Sequence, residues 1–265
     1  IMQQLIEKIQ IHVPFGMLYE SFLDLFIKQR INPEIALSAD ALESYSFTDF
    51  NYIAEQLQER GLRVTLHAPF MDLSPGAQDP AIRAITRHRF DQVLKLVPIF
   101  KPITVVCHTG YDWKKYWPMR DSWIENSLKI WSWLGAGIRD EGSQLILENV
   151  YEHDPGDMLI LLESLKNQNV GFCLDIGHQT VFSRSSLVKW IDSLGPYLRQ
   201  LHLHDNCGER DDHMALGSGN INFPKLFKLL KNSIDELTVI TLEPHKEQDL
   251  WLSLEYLKKV WPWQM

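Results

Sequence analysis

The chain has 265 residues, 45% of them hydrophobic and 23% charged, with a formal net charge of -8. That length can bury one large core, the composition argues against a disordered, collagen-like or coiled-coil chain, and no apolar run reaches the ~18 residues of a membrane helix. The acidic balance argues against nucleic acid as a general partner.

Short β-branched runs alternate with longer amphipathic stretches along the chain. Gln3, Gln4, Glu7 and Lys8 interrupt the N-terminal stretch, which does not read as a secretory leader. Strands are expected near 9–13, 33–37, 63–67, 103–107, 144–148, 170–175, 198–203 and 236–242. A helix should follow each, near 17–29, 48–60, 80–97, 120–140, 156–167, 185–194, 223–232 and 248–260. Gly61 closes the second helix, Asp79-Pro80 and Asp154-Pro155 open the third and fifth, and Gly142 separates the fourth from the next strand. Eight units in 265 residues average about 33 residues each, the size of a (β/α)8 barrel repeat. No Ser- or Gly-rich linker interrupts the pattern, so residues 1–265 are expected to form a single α/β TIM-barrel domain. A doubly wound open sheet is the alternative, but no GxGxxG follows the first strand. Cys107, Cys173 and Cys207 are too widely spaced for a metal knuckle or a disulfide framework and read as free thiols of a reducing cytoplasm.

In such a barrel, chemistry sits at the C-terminal ends of the strands. Six expected strands carry a metal-capable residue there: His67, His108, Glu148, Asp175, His202 and Glu243. One His on an apolar strand is usually a satisfied core residue, and one strand-end Glu is often a cap. Six on consecutive strands at the same end are hard to explain that way. Alternation extends the set: if Glu148 faces the axis so does Ile146, if Asp175 does so do Cys173 and Gly171, and if His202 does so does His204. A ring of carboxylates alone would repel itself, and imidazoles interleaved with them around a divalent cation resolve the charge problem. His178 stands one turn beyond Asp175. Asp211 and His213 are two apart and can chelate from one side of an extended segment.

These residues lie in short segments: His67-Ala-Pro-Phe70, His108-Thr-Gly110, Glu148-Asn-Val150, Leu174-Asp-Ile-Gly-His178, His202-Leu-His-Asp205, Asp211-Asp-His213 with Gly217-Ser-Gly219, and Leu242-Glu243. Together they resemble the xylose isomerase-like TIM barrels, which include sugar phosphate isomerases/epimerases and endonuclease IV. The resemblance runs from about His67 to Glu243. In the sugar isomerase branch it implies one divalent metal held by Glu148, Asp175, His202 and Glu243. In the endonuclease IV branch it implies three zinc ions, and His67, His108, His178, Asp211 and His213 complete that larger set. Three segments depart from the endonuclease pattern. Ser38 to Phe47 is acidic and polar and does not resemble the loop that penetrates DNA, Thr109 replaces the usual Pro after His108, and Met71-Asp-Leu-Ser-Pro-Gly76 looks more like isomerase-type members.

Charge arithmetic separates the two loadings. One divalent ion among Glu148, Asp175 and Glu243 leaves a coordination shell of about -1, suited to a neutral hydroxyl or carbonyl. Three ions against four carboxylates, Asp211 included, leave about +2, suited to a phosphate. A shell of His, Asp and Glu favours zinc, manganese or cobalt. The expected activity is isomerisation or epimerisation of a small sugar or sugar phosphate through an enediolate, with Glu148 or Glu243 moving protons and His178 orienting hydroxyls. The alternatives are a multinuclear zinc phosphodiesterase similar to endonuclease IV and a non-catalytic metal- or ligand-binding barrel. His204, with Trp113 and Lys114 of the Tyr111-Asp-Trp-Lys-Lys-Tyr-Trp117 loop and Arg184 of the sixth βα loop, is expected to contact substrate. Gly217-Ser-Gly219 reads as a turn or an anion nest, and Trp131, Trp133, Trp261 and Trp263 as covers of helix surfaces. The sequence leaves room for a homo-oligomer.

Overall fold

The computed structural model describes residues 2–231 and 238–263. Eight strands, β1 (Gln10–Pro14), β2 (Asn32–Ala36), β3 (Thr65–His67), β4 (Thr104–His108), β5 (Gln144–Glu148), β6 (Gly171–Asp175), β7 (Leu198–Leu203) and β8 (Val239–Leu242), run parallel, pair in sequence order and close into a barrel. The seam joins β1 to β8 through Gln10 opposite Thr241 and Ile11 opposite Leu242. Residues 236 and 237 of the expected eighth strand, and residue 232 of the helix before it, lie outside the described residues.

The helices begin where the capping chemistry places them. Ser46 and Asp49 form a reciprocal capping box at the start of Phe47–Glu59. Asp79 Oδ1 accepts the Ala81 N–H at 2.8 Å at the head of Pro80–Phe100, with Pro80 in the first turn, where its missing N–H costs nothing. Gly142, at φ +82°, turns the chain from Arg120–Asp140 into β5. The first helical stretch departs from expectation. It is divided into Phe15–Met17, a π turn Leu18–Phe22 and Leu23–Gln29. Short helices at Ala39–Ser44, Trp113–Tyr116 and Ile176–Phe182 also lie outside the expected set, being too brief to show a periodic apolar face.

Alternation along the strands separates two interiors. Leu66, Val105, Cys107, Leu145, Leu147, Phe172, Leu174, Leu201 and Leu203 belong to the main core between barrel and helices. Trp131 is fully buried in that core with its ring 5.3 Å from Phe90, so it does not cover a helix surface as the sequence suggested; Trp133, Trp261 and Trp263 are only partly buried. The barrel axis is different. Such an interior is usually filled by Val, Ile and Leu, yet among the described residues only Val106, Ile146 and Cys173 form an apolar cluster there. Around them lie buried Glu34, Thr65, Thr104, Gln200, His202 and Thr241. Thr104 Oγ1 donates to Gln200 Oε1 at 2.7 Å, and Thr65 and Thr241 hydroxyls donate to Glu34 Oε2 at 3.1 and 3.2 Å. Burial of so many polar groups is tolerable because the network supplies their partners. No described helix is long and apolar enough to cross a membrane.

Candidate functional site

The strand ends converge on one buried cluster. Glu148, ending β5, is its hub: Oε2 lies 3.2 Å from His67 Nε2 and 3.3 Å from His202 Nδ1, while Oε1 lies 3.4 Å from His108 Nε2 and 3.1 Å from His178 Nδ1. His202 Nδ1 is also 3.0 Å from Glu243 Oε1 and 4.0 Å from Asp175 Oδ2. On the other flank Asp211 Oδ2 sits 3.2 Å from both His178 Nε2 and His213 Nε2. All nine residues expected as ligands are therefore brought together.

Local structure fixes these side chains. Asp175 caps the helix Ile176–Phe182, its Oδ1 accepting the His178 N–H at 2.6 Å, which is how the strand end and the next turn share one site. The Asn149 amide grips the Asp175 backbone in both directions at 3.0 Å. Asp205 folds the following loop around its carboxylate, which accepts the N–H groups of Asn206, Gly217, Gly219 and Ile221 at 2.9 to 3.1 Å. The Gly217-Ser-Gly219 amides are thus a turn closed on the chain's own anion rather than a nest for a ligand.

Several nitrogens face carboxylates in a way that suits a cation between them. His67 Nδ1 lies 3.0 Å from the Ala68 carbonyl, so it carries the proton and leaves the Nε2 lone pair toward Glu148. His178 Nδ1 is similarly placed against the Asn149 carbonyl at 3.0 Å. His202 Nδ1, His204 Nδ1 and Asp211 Oδ1 are buried without a hydrogen-bond partner among the described residues. Separations of 3.0 to 3.5 Å between such donor atoms match neighbouring ligands on an ion bound at about 2.0–2.2 Å. Groups of three ligand atoms fall within 4.8 Å of one another, among them His67–Glu148–His202 and Asp175–His204–Glu243, while the His178 Nε2 lone pair faces Asp211. These clusters fit one to a few divalent cations. The parallel rings of His204 and His213, centroids 3.7 Å apart, cannot both aim an in-plane lone pair at the same ion in this arrangement.

The electrostatics follow the same contacts. Burial by itself would push the Glu148 carboxyl up, but the charges of His108 and His202 and hydrogen bonds from His108 and His178 hold it well below the usual range. Glu243 is held down likewise by His202 and His12 against its burial. Burial would depress His202 and His178, yet the carboxylates around them hold both well above the ordinary imidazole value. His213, opposed by its burial, is pushed up to about 9 by Asp211 and Glu243.

A cavity of about 710 Å³ opens over this cluster. Its floor includes Glu148, His178, Asp211 and Glu243, and its walls Phe70, Tyr116, Tyr151 and Phe182. Asp175, His202 and His204 are fully buried behind that floor. The expected substrate contacts fall elsewhere. Trp113, Lys114 and Arg184 do not line the cavity, because the Arg184 guanidinium lies 4.4 Å over the Trp113 ring and that indole packs at 4.8 Å on His153. Lys115 and Tyr116 of the same loop do line it.

Three site residues escape the strand-end argument. Glu34 is completely buried in mid-β2, and His12 on β1 reaches both Glu34 Oε1 at 3.4 Å and Glu243 Oε1 at 3.5 Å. His245 stacks on His213 with centroids 4.2 Å apart. A charged residue inside an apolar run, on the axis-facing phase of Asn32 and Ala36, is the signal that identifies Glu34.

Residues 34–260 match the family described as Xylose isomerase-like TIM barrel. The chain belongs to this family. The uncharacterized protein MJ1311 of Methanocaldococcus jannaschii is 28% identical over 221 residues, which cover 80% of this chain and 74% of that protein. The TTHB071 protein from Thermus thermophilus, solved after soaking with ZnCl2, superposes with a TM-score of 0.80 at 24% identity and covers 96% of this chain and 97% of its own. D-psicose 3-epimerase from Clostridium cellulolyticum, solved with D-tagatose, superposes with a TM-score of 0.77 at 16% identity and covers 96% and 98%. At these identities the two solved structures share the fold.

Proposed function

We propose that the chain is a divalent-metal-dependent isomerase or epimerase of a small sugar or sugar phosphate. The observation that carries this reading is the convergence of Glu148, Glu243 and Asp175 on the unpartnered Nδ1 of His202, at the base of an aromatic-walled cavity. The D-psicose 3-epimerase solved with D-tagatose supports a ketose as the substrate class.

An ion held by Glu148, Asp175, His202 and Glu243 would supply Lewis acidity toward a substrate carbonyl and the hydroxyl beside it. Zinc, manganese and cobalt suit this donor set. Glu148 and Glu243, both held ionised, are the bases that take a proton from carbon. One carboxylate returning that proton to the neighbouring carbon gives isomerisation, and delivery to the opposite face by the other gives epimerisation. His178 and Asp211, on the cavity floor, orient hydroxyls. Phe70, Tyr151 and Phe182 offer ring faces to the sugar's C–H surface.

The test is incubation of the metal-loaded protein with D-psicose, D-tagatose and D-fructose in D2O, followed by proton NMR. Deuterium entering at the carbon beside the carbonyl, with appearance of the epimer or isomer, is the expected result. No exchange with any sugar or sugar phosphate at full metal occupancy overturns the reading.

A second reading, a zinc phosphodiesterase, is favoured by the two flanking clusters, His67 and His108 against Glu148 and His178 and His213 against Asp211. Three zinc ions per chain together with cleavage of an abasic-site oligonucleotide would establish it.

A further inference from the structure

We infer that Glu34 is a positioning residue that decides which ring nitrogen of His202 meets the cation. This rests on the metal centre proposed above.

The two nitrogens of His202 have opposite surroundings. Nδ1 is buried, has no hydrogen-bond partner among the described residues, and faces Glu243 and Glu148 at 3.0 and 3.3 Å. Nε2 points the other way, down the barrel axis, 3.1 Å from Glu34 Oε1. Gln200 Nε2 also lies 3.1 Å from that nitrogen, but its two N–H bonds are taken by Glu34 Oε2 and by Thr241 Oγ1 at 3.2 Å. Among the described residues nothing else therefore supplies a proton to Nε2, and the ring carries its own there. A neutral imidazole with its proton on Nε2 has its lone pair on Nδ1, aimed at the three carboxylates.

Glu34 Oε2 is built as an acceptor, while Oε1 lies between His202 Nε2 and His12 Nδ1. Oε1 receives His12 Nδ1 at 3.4 Å beside His202, and Oε2 receives Thr65, Thr241 and Gln200. Oε2 is saturated by the chain itself, in contrast to the atoms of His202, His204 and Asp211 above it, which have no partner among the described residues. A carboxylate behind a metal-bound imidazole fixes its tautomer and orientation and raises its basicity, and losing such a partner typically weakens metal binding 10–100-fold.

The experiment compares wild type, Glu34→Gln and Glu34→Ala by chelator competition for Zn2+, with the tautomer of His202 read by long-range 1H–15N NMR of 15N-histidine protein. The resonance is assigned by its loss in His202→Gln. Wild type is expected to show metal-bound Nδ1 and protonated Nε2. Glu34→Ala should weaken zinc about 10–100-fold, and Glu34→Gln, which keeps an acceptor oxygen, should recover most of that. A wild-type spectrum with protonated Nδ1 or metal-bound Nε2 overturns the inference even if Glu34→Ala fails to fold. Equal zinc affinity in all three proteins overturns it while leaving the metal centre standing. Equal loss in Glu34→Gln and Glu34→Ala overturns the role of Glu34 as the acceptor that positions the ring. No zinc bound by wild type overturns both this inference and the metal centre.

Discussion

A Cβ placed on Gly177 would lie 1.9 Å from His204 Cε1. The first turn of Ile176–Phe182 and the residue just past β7 occupy the same space only because position 177 has no side chain. His204 in turn holds both Asp175 oxygens, at 3.1 and 3.2 Å. Gly177→Ala should therefore displace the imidazole or the helix, costing about 1–3 kcal/mol of stability and weakening metal binding at least several-fold. Thermal melts and a metal titration check this. An unchanged melting point with unchanged affinity would show that the overlap is absorbed without consequence.

Asp205 is the organiser of the loop that carries Asp211 and His213. Replacing it with Ala removes the acceptor of four backbone N–H groups. An unsatisfied buried donor costs about 1–3 kcal/mol; of the four, the Asn206 bond is buried and those of Gly217, Gly219 and Ile221 are part-buried and open to water, so a loss of roughly 3 kcal/mol is expected. Amide exchange at 217, 219 and 221 should accelerate in Asp205→Ala and less so in Asp205→Asn. Unaltered protection there would mean that other contacts hold the loop.

Glu148 and His67 should differ in what their loss removes. Glu148 touches His67, His108, His178 and His202, whereas His67 meets the cluster through Glu148. Glu148→Gln is expected to strip most of the bound metal, and His67→Ala only part of it, by elemental analysis. Chelation of the wild-type protein should lower its melting temperature, since a ligand at about 1,000 times its Kd stabilises by about 4 kcal/mol. Identical metal content in the two variants would contradict the hub arrangement.

Glu152 predicts a pH dependence of stability. Burial pushes its carboxyl up to about 7, against hydrogen bonds from Thr109 and the Val150 N–H. The unfolded chain ionises this group near 4.3, so between about pH 4.5 and 7 the folded state holds the extra proton. Its contribution to stability therefore falls as pH rises through that window, by up to about 3 kcal/mol. Glu152→Gln should flatten the slope of the urea midpoint between pH 5 and 8 and be the more stable protein at pH 8. Parallel slopes in the two proteins would sink this assignment.

Much of this architecture is legible in the sequence because it is periodic. β-branched runs, caps such as Asp79-Pro80 and the glycine stops mark the eight strands, and polar residues at their ends mark His67, Glu148, Asp175 and Glu243. Features that depend on side chains meeting across the barrel are not periodic. Glu34 sits in mid-strand, so it is invisible to an argument about strand ends, and its meaning comes from Thr65, Gln200 and Thr241 on three other strands. Trp113 and Arg184 look available in sequence but satisfy each other in space. The helix Ile176–Phe182 starts directly on Asp175, with no spacer to announce it.

The seam between β1 and β8 has a temporal consequence. His12 and Glu243 stand 3.5 Å apart across it, yet 231 positions separate them along the chain. While the protein is being made, Glu148, Asp175 and His202 reach the ribosome exit long before their remaining carboxylate partner. The barrel cannot close, and its anionic ring is incomplete, until the region around residue 243 emerges. The four-residue set of Glu148, Asp175, His202 and Glu243 is therefore complete only once the last strand has docked.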